Sequence, residues 1–504
     1  MRNFRVGLVF RGVCQRRAAR VTSNQLMSST EFSFRSDAPF GPLSRLPMSR
    51  RAMLRRSGAG IGGLSLAFLM QEAMQQEGRA GVDLKGAPLA PRQSPRAVKA
   101  KRVIQIFAPG APSHVDTLDP KPALKKYAGQ ALPNLRGKAF PSPFEFKRFG
   151  KSGLELSEVF GRLGEHADEM AVIRSMFTNV PAHDVAQIFM NTGSLRLPRP
   201  SLGAWALYGL GSENQNLPGF IALKRGNSST TMTASCQSSF LPGVFQGTLV
   251  DTTRSTAQEM IENLRNPFMG LSEQRRQLDF VNQVNKVHQA KLQEDAQLEA
   301  RLQAFEIAFK MQTEATDAFD LSKESSEVRE AYGEGGLGQQ LLLARRLSER
   351  GVRFVQVWHG GWDMHNDLEA RMGRVAEEVD RPAAALLADL KSRGLLDETL
   401  VIWGGEFGRT VTYDNNGNEK PGRDHNGRAF SIWMAGGGVK GGQAYGATDE
   451  FGAKSVENKV HIHDLHATIL ALLGFDHQKL TYRVNGRDFR LTDVAGNVIK
   501  EIIA

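Results

Sequence analysis

From residue 101 the chain alternates between short, nearly continuous apolar runs and longer stretches in which apolar residues recur every three or four positions. The runs are Arg102–Phe107, Met170–Ile173, Phe220–Leu223, Val352–Trp358, Thr399–Trp403 and Phe430–Met434. Several are β-branched or aromatic along their whole length, the pattern of a strand covered on both faces. The longer stretches predict helices at Asp184–Asn191, Leu202–Tyr208, Leu337–Glu349, Leu368–Lys391 and Asp464–Leu473. Strands alternating with helices imply an α/β fold with a mostly parallel central sheet and helices on both faces. Residues 256–330 are charged, Gln-rich and poor in strand signals, and read as a helical insertion. No fixed-period repeat is present.

The 504 residues carry a net charge of +11, which at first suggests a nucleic-acid partner. The charge is not spread along the chain. Residues 1–100 hold 17 Lys and Arg against 5 Asp and Glu, so residues 101–504 stand at −1. A basic leader on a neutral body lacks the positive folded surface that tracks phosphates, which argues against nucleic acid and for membrane targeting. Ser49, Arg50 and Arg51 precede Met53, Leu54 and Arg55, and an uncharged run follows from Gly58 to Met70. This resembles a twin-arginine export signal. The run is too short and too glycine-rich for an ordinary span, so no stable membrane span is expected after processing. Met48 sits where such a signal would begin. The expected layout is an extension or mis-assigned start over 1–47, a signal over 48–80, a linker over 81–100 and one domain over 101–504. With Cys14 in the leader, that domain keeps the single thiol of Cys236, and no intrachain disulfide can form within it.

In a doubly wound sheet, ligands gather where strands end at their carboxyl edge. Polar residues stand at several such places. Ser113, His114 and Asp116 follow the first run, and His359, Asp363 and His365 follow Val352–Trp358 in WHGGWDMH. Glu406 follows Thr399–Trp403 in GGEFGRT, and Asp424 and His425 lie in the next loop, in GRDHN. Any one of them, flanked by glycine after a strand, reads equally as a turn former or N-cap. Together they offer the oxygen and nitrogen ligands that a divalent metal needs from several directions.

GAPSHVDTLDPKP, HDVAQIFMNTG, WDMHND, GEFGRT with GRDHN, and the ending HIHDLHATILALLGFDHQKLTYRVNGRDFRLTD together resemble the DUF1501 family across residues 101–504. The resemblance implies a sulfatase-like branch of the alkaline phosphatase superfamily, usually exported, with a metal-assisted site for phosphate or sulfate esters. The sulfatase nucleophile motif, Cys/Ser-x-Pro-x-Arg, ends at a Thr-Gly nine residues on. Counting back from Thr192 and Gly193 reaches His183, and the motif itself is absent. Cys236 is followed by Gln-Ser-Ser-Phe, so a formylglycine nucleophile is excluded too. Where such enzymes carry Asp-His-Gly or Asp-Asn-Gly, this chain has Glu406, Phe407 and Gly408.

The expectation is therefore an exported hydrolase, periplasmic, at the cell surface, or held through an uncleaved leader. Its metal would be Zn, Ca, Mg or Mn, its substrate a small-molecule or glycan ester, and its export partner the twin-arginine machinery. Candidate metal ligands are Asp116, Asp363, His365, Glu406, Asp424 and His425. His183 is a nucleophile, or a base acting on Ser113 or water. His114, His359, His463 and His466 are expected to be structural, the last two capping a helix or facing solvent. The rival reading is a non-catalytic binding protein on the same fold, its metal lost. A surface anchoring role rests on the leader alone.

Overall fold

Six apolar runs become six strands of one nine-stranded sheet: β1 (Arg102–Phe107), β2 (Met170–Phe177), β3 (Phe220–Lys224), β5 (Phe354–Trp358), β6 (Thr399–Gly404) and β7 (Phe430–Ala435). Three more complete it: β4 (Thr248–Asp251), β8 (Gln443–Tyr445) and β9 (Val460–His461). The order is β8-β2-β7-β6-β1-β5-β3-β4, with β9 also on β2. Every pairing is parallel except those of β7, which runs against both β2 and β6. The last three strands lie at edges or beside the ends of β2. They are two to four residues long and carry no continuous apolar run, which is why the sequence pattern does not announce them.

This is a computed structural model, and it describes the chain from residue 82 onward apart from residues 83, 85–87, 197, 263, 265–267, 293–295 and 415–419. The twin-arginine-type segment lies outside the described residues. No helix among the described residues is long and apolar enough to cross a membrane.

Helices cover both faces of the sheet. On one lie α1 (His183–Thr192), α2 (Leu202–Leu210) and α7 (Ile462–Leu472). Met190, Leu202, Leu465 and Ile469 from these helices meet Gln105, Ile402 and Ile432 of the strands. On the other lie α5 (Gly336–Glu349), which packs on β5 and β1, and α6 (Leu368–Ser392) beside it. Leu368, Met372, Val375, Ala376, Val379, Ala383, Leu386, Leu387 and Leu390 form one buried stripe of α6. Each large side chain so buried contributes about 1.5–3 kcal/mol. Trp403 of β6 closes this layer against Phe160 and Trp362, with ring centroids 5.4 and 5.5 Å away. The charged, Gln-rich stretch folds into two long helices, α3 (Leu271–Leu292) and α4 (Ala296–Phe319).

The late histidines correct one expectation. His466 is fully buried, and His463 is half-buried rather than turned to solvent. Their Nε2 atoms lie 2.8 Å from the carbonyls of Met190 and Gly193, tying α7 to the carboxyl end of α1. The cap of α7 is His461, whose amide donates to Asp464 Oδ2 at 2.8 Å.

Candidate metal centre

β6, β1 and β5 are parallel neighbours, so their three following loops emerge at one edge of the sheet. The first contains Gly110, whose φ of +104° suits glycine alone. A Cβ there would lie 2.6 Å from the Asp363 amide nitrogen, so the absence of a side chain lets the first loop close on the second. The turn aims the Gly110 amide at Glu406, donating to Oε1 at 3.0 Å. α1 begins at the same edge with His183, and a two-residue ribbon pairing Gly408–Arg409 with His425–Asn426 brings His425 inward.

Four side chains meet there. Asp363 Oδ1 lies 3.3 Å from His183 Nε2, 3.1 Å from His365 Nε2 and 3.6 Å from His425 Nε2. His365 Nε2 and His425 Nε2 are 3.1 Å apart. A tetrahedral ion with bonds of about 2.0–2.2 Å sets its ligand atoms about 3.3–3.6 Å apart. The separations of 3.1–3.6 Å lie near that spacing; His183, Asp363 and His425 form one group able to hold an ion, and His365, Asp424 and His425 form another beside it.

The opposite ring nitrogens are all engaged. His183 Nδ1 lies 2.6 Å from Glu406 Oε1, His365 Nδ1 lies 2.6 Å from Asp414 Oδ2, and His425 Nδ1 lies 3.0 Å from the Pro181 carbonyl. Carboxylates and carbonyls only accept, so each Nδ1 carries the proton. In neutral rings the three Nε2 lone pairs then face one another and Asp363, that of His365 also lying 3.4 Å from Arg409 Nη1. Lone pairs this close repel unless a proton or a cation sits among them. His183 Nε2 accordingly has no hydrogen-bond partner, although it is buried.

Glu406 is fully buried and stands behind the cluster. Its Oε1 accepts from Gly110, His183 and Gln187 Nε2, the last at 3.2 Å, while Oε2 has no partner. Phe407 packs under the centre: its ring centroid is 4.8 Å from that of His183 and 4.9 Å from that of His425. The apolar residue in the GEFG motif is thus the floor on which two imidazoles rest.

A fixed cation borders the cluster. The guanidinium of Arg409 is buried, donates to the carbonyls of Gly110, Ala111 and Arg423, and pairs with Asp363. Burial pushes the Asp363 carboxyl up, but Arg409 and the two imidazoles outweigh this and hold it down at about 2. His183 has the opposite balance. Burial lowers it, while the hydrogen bond and charge of Glu406, with Asp363, raise it above the ordinary imidazole value. His425 is lowered by burial and by the neighbouring cations.

Three candidates fall outside the four-residue cluster. Asp116 is fully buried and forms a bidentate pair with Arg423 at 2.7 and 2.9 Å. Ser113 Oγ donates to the same carboxylate at 2.5 Å, so the structure directs Ser113 to Asp116 and not to His183. With its oxygens engaged by Arg423 and Ser113, Asp116 has no part in the four-residue cluster. Asp424 stands at the rim, mostly exposed, 4.0 Å from His365 Nδ1 and accepting the His425 amide at 2.7 Å. Sequence reading passed over Arg409, Gln187 and Asp414. Arg409 and Gln187 lie inside the GEFGRT and HDVAQIFMNTG motifs, whereas nothing around Asp414 marks it in the sequence.

Fold and site together define an α/β protein with a histidine-rich acidic centre at the carboxyl edge of a mostly parallel sheet. The chain belongs to the DUF1501 family, described as a protein of unknown function, whose model matches residues 100–503. No curated protein matches the sequence. Among solved structures, the chain is similar to the C-terminal periplasmic domain of EcEptC from Escherichia coli in complex with Zn. That match has 10% identity, covers 77% of this chain and 86% of that one, and has a TM-score of 0.35. It is also similar to the PsFucS1 sulfatase from Pseudoalteromonas sp., with 13% identity, 75% and 68% coverage and a TM-score of 0.32. For the alkaline phosphatase of the Antarctic bacterium TAB5 the values are 10% identity, 69% and 95% coverage and 0.28.

Proposed function

We propose that this protein is a metal-assisted hydrolase of phosphate or sulfate esters, exported from the cell. The observation that carries the metal is the set of three imidazole Nε2 atoms converging on Asp363 Oδ1, each with its Nδ1 proton already committed. Partners of this kind behind metal-bound imidazoles fix the tautomer and raise ligand basicity. His183, His365, His425 and Asp363 are the proposed ligands, with Glu406 and Asp414 orienting two of them. Three nitrogens and one oxygen suit zinc better than calcium or magnesium. An ion held by these residues would need to take the ester oxygen as a further ligand, and would then polarise it and offset the charge developing on it.

The chain's own contribution is fixed charge and position. Arg409 keeps Asp363 ionised and holds a positive charge beside any anionic ester. His183, as a ligand backed by Glu406, is not the nucleophile, and Ser113 is held by Asp116, so water is the attacking group, losing its proton to solvent while the leaving alcohol takes one up. The choice of phosphate and sulfate esters follows the sequence resemblance, and export follows the leader. One observation favours a second reading: Arg409 already provides Asp363 with a cation, as a metal-free anion-binding protein would require.

Metal content of the purified full chain, measured by mass spectrometry, separates the two. The hydrolase reading expects about one ion per chain, lost in Asp363→Ala and His365→Ala, and turnover of aryl phosphates or sulfates that disappears with it. Well-folded wild-type protein that takes up no zinc or manganese leaves the binding-protein reading.

A further inference from the structure

Outside the metal centre, a cavity of about 560 Å³ opens between two loops and a C-terminal hairpin. The hairpin pairs Tyr482–Val484 with Arg487–Phe489 through a turn in which Asn485 and Gly486 have φ of +48° and +82°. Such a turn suits a tight two-residue hairpin, so the position of Phe489 is fixed by the local backbone. Phe240, on the loop after the helix Thr230–Ser235, supplies the facing ring, itself stacked on Tyr482 at 6.0 Å and 16°.

Two guanidiniums lie on the Phe489 ring, Arg199 at 4.6 Å and Arg487 at 4.7 Å from its centroid. Arg487 is neutralised by Asp493 at 2.8 Å. Arg199 is different. It lies 6.0 Å from the Phe240 centroid, its hydrogen bond goes to the Pro198 carbonyl at 3.3 Å, and it forms no ion pair among the described residues. Two aromatic faces hold a cation beside a cavity without a counter-charge. Ser239 also lines the cavity. Ser239 Oγ is buried without a hydrogen-bond partner, and Ser239 has φ of +53°, a strained conformation for a residue with a side chain.

We infer that this cavity binds a small organic anion in which a sulfate, sulfonate or carboxylate is carried on a ring. The ring packs on the outer side of the Phe240–Phe489 pair, whose centroids are 5.2 Å apart, and the anionic group accepts from the Arg199 guanidinium. Aromatic and sugar rings both offer such a face, so two probes separate them.

The test is calorimetric titration of the full chain with naphthalene-2-sulfonate and with glucose 6-sulfate, beside inorganic sulfate. Binding of either ring anion, and weak or no binding of sulfate, is expected. Arg199→Gln weakens it at least about tenfold, as loss of a charge-assisted hydrogen bond requires, and Phe489→Leu weakens it while leaving the melting temperature unchanged. Asp363→Ala leaves the binding intact, which separates this site from the metal centre. Equal binding of inorganic sulfate, indifference to Arg199→Gln, loss of binding in Asp363→Ala, or no binding of either probe to folded protein each overturns the inference.

Discussion

Asp116 separates a structural acid from a catalytic one, because it lies in the short helix His114–Thr117 beyond the first strand yet faces Arg423. Both side chains are fully buried, the pair is bidentate at 2.7 and 2.9 Å, and the guanidinium also donates to Thr410 O at 3.1 Å and stacks on Phe140 at 4.4 Å. Asp116→Ala leaves that guanidinium buried without a counter-charge, at a cost of about 3–5 kcal/mol. An unfolding entropy of about 2.1 cal/mol/K per residue, over the roughly 425 residues of the unit Arg79–Ala504, comes to about 0.9 kcal/mol/K. The melting temperature should then fall by about 3–6 °C in scanning calorimetry. Arg423→Met in the same chain removes the stranded charge, so the double variant should melt above Asp116→Ala, the sign expected of a coupled pair. Metal content should match wild type in both. A single variant that keeps its melting temperature but loses its metal would refute this reasoning and return Asp116 to the ligand set.

Gly110→Ala forces a Cβ to 2.6 Å from the Asp363 amide nitrogen at a φ of +104°, and should lower both stability and metal content; Gly360→Ala, with its nearest contact at 3.8 Å, should change neither. Cys236 is buried and its thiol is pushed up to about 12, so in a Cys14→Ser background a thiol reagent should label no cysteine in native protein and one in urea. His466 is lowered to about 3 by burial and by His463 and His461, and stays neutral in the fold while the unfolded chain takes up a proton below about 6.5. Its contribution is therefore complete above pH 6.5 and falls toward pH 3, by up to several kcal/mol. Melting curves across that range should show a shallower acid slope in His466→Gln, and an unchanged slope would contradict it.

The sheet was legible where burial on both faces demands an unbroken apolar run, as in Arg102–Phe107 and Thr399–Gly404. It was illegible at Gln443–Tyr445 and Val460–His461, where segments of three and two residues pair only with β2 and the pairing depends on neighbours far off in sequence. The site divides in the same way. Asp363, His365 and His425 could be found because strand ends place polar residues at one edge by topology alone. What each does depends on its partner, and partners are tertiary facts: Asp116 and Glu406 look alike in sequence, each an acid in a loop after a strand. One meets an arginine that engages both its oxygens, and the other meets the Nδ1 of His183. The charge on Arg409 shows the same limit from the other side. In GEFGRT it reads as one more surface cation, and only the fold buries it between three carbonyls and Asp363. There it either supports a metal ligand or replaces the metal. The donor set favours the first, since His365 Nε2 and His425 Nε2 lie 3.1 Å apart beside Asp363, a nitrogen-rich cluster that suits an ion, even with Arg409 Nη1 at 3.4 Å from His365 Nε2.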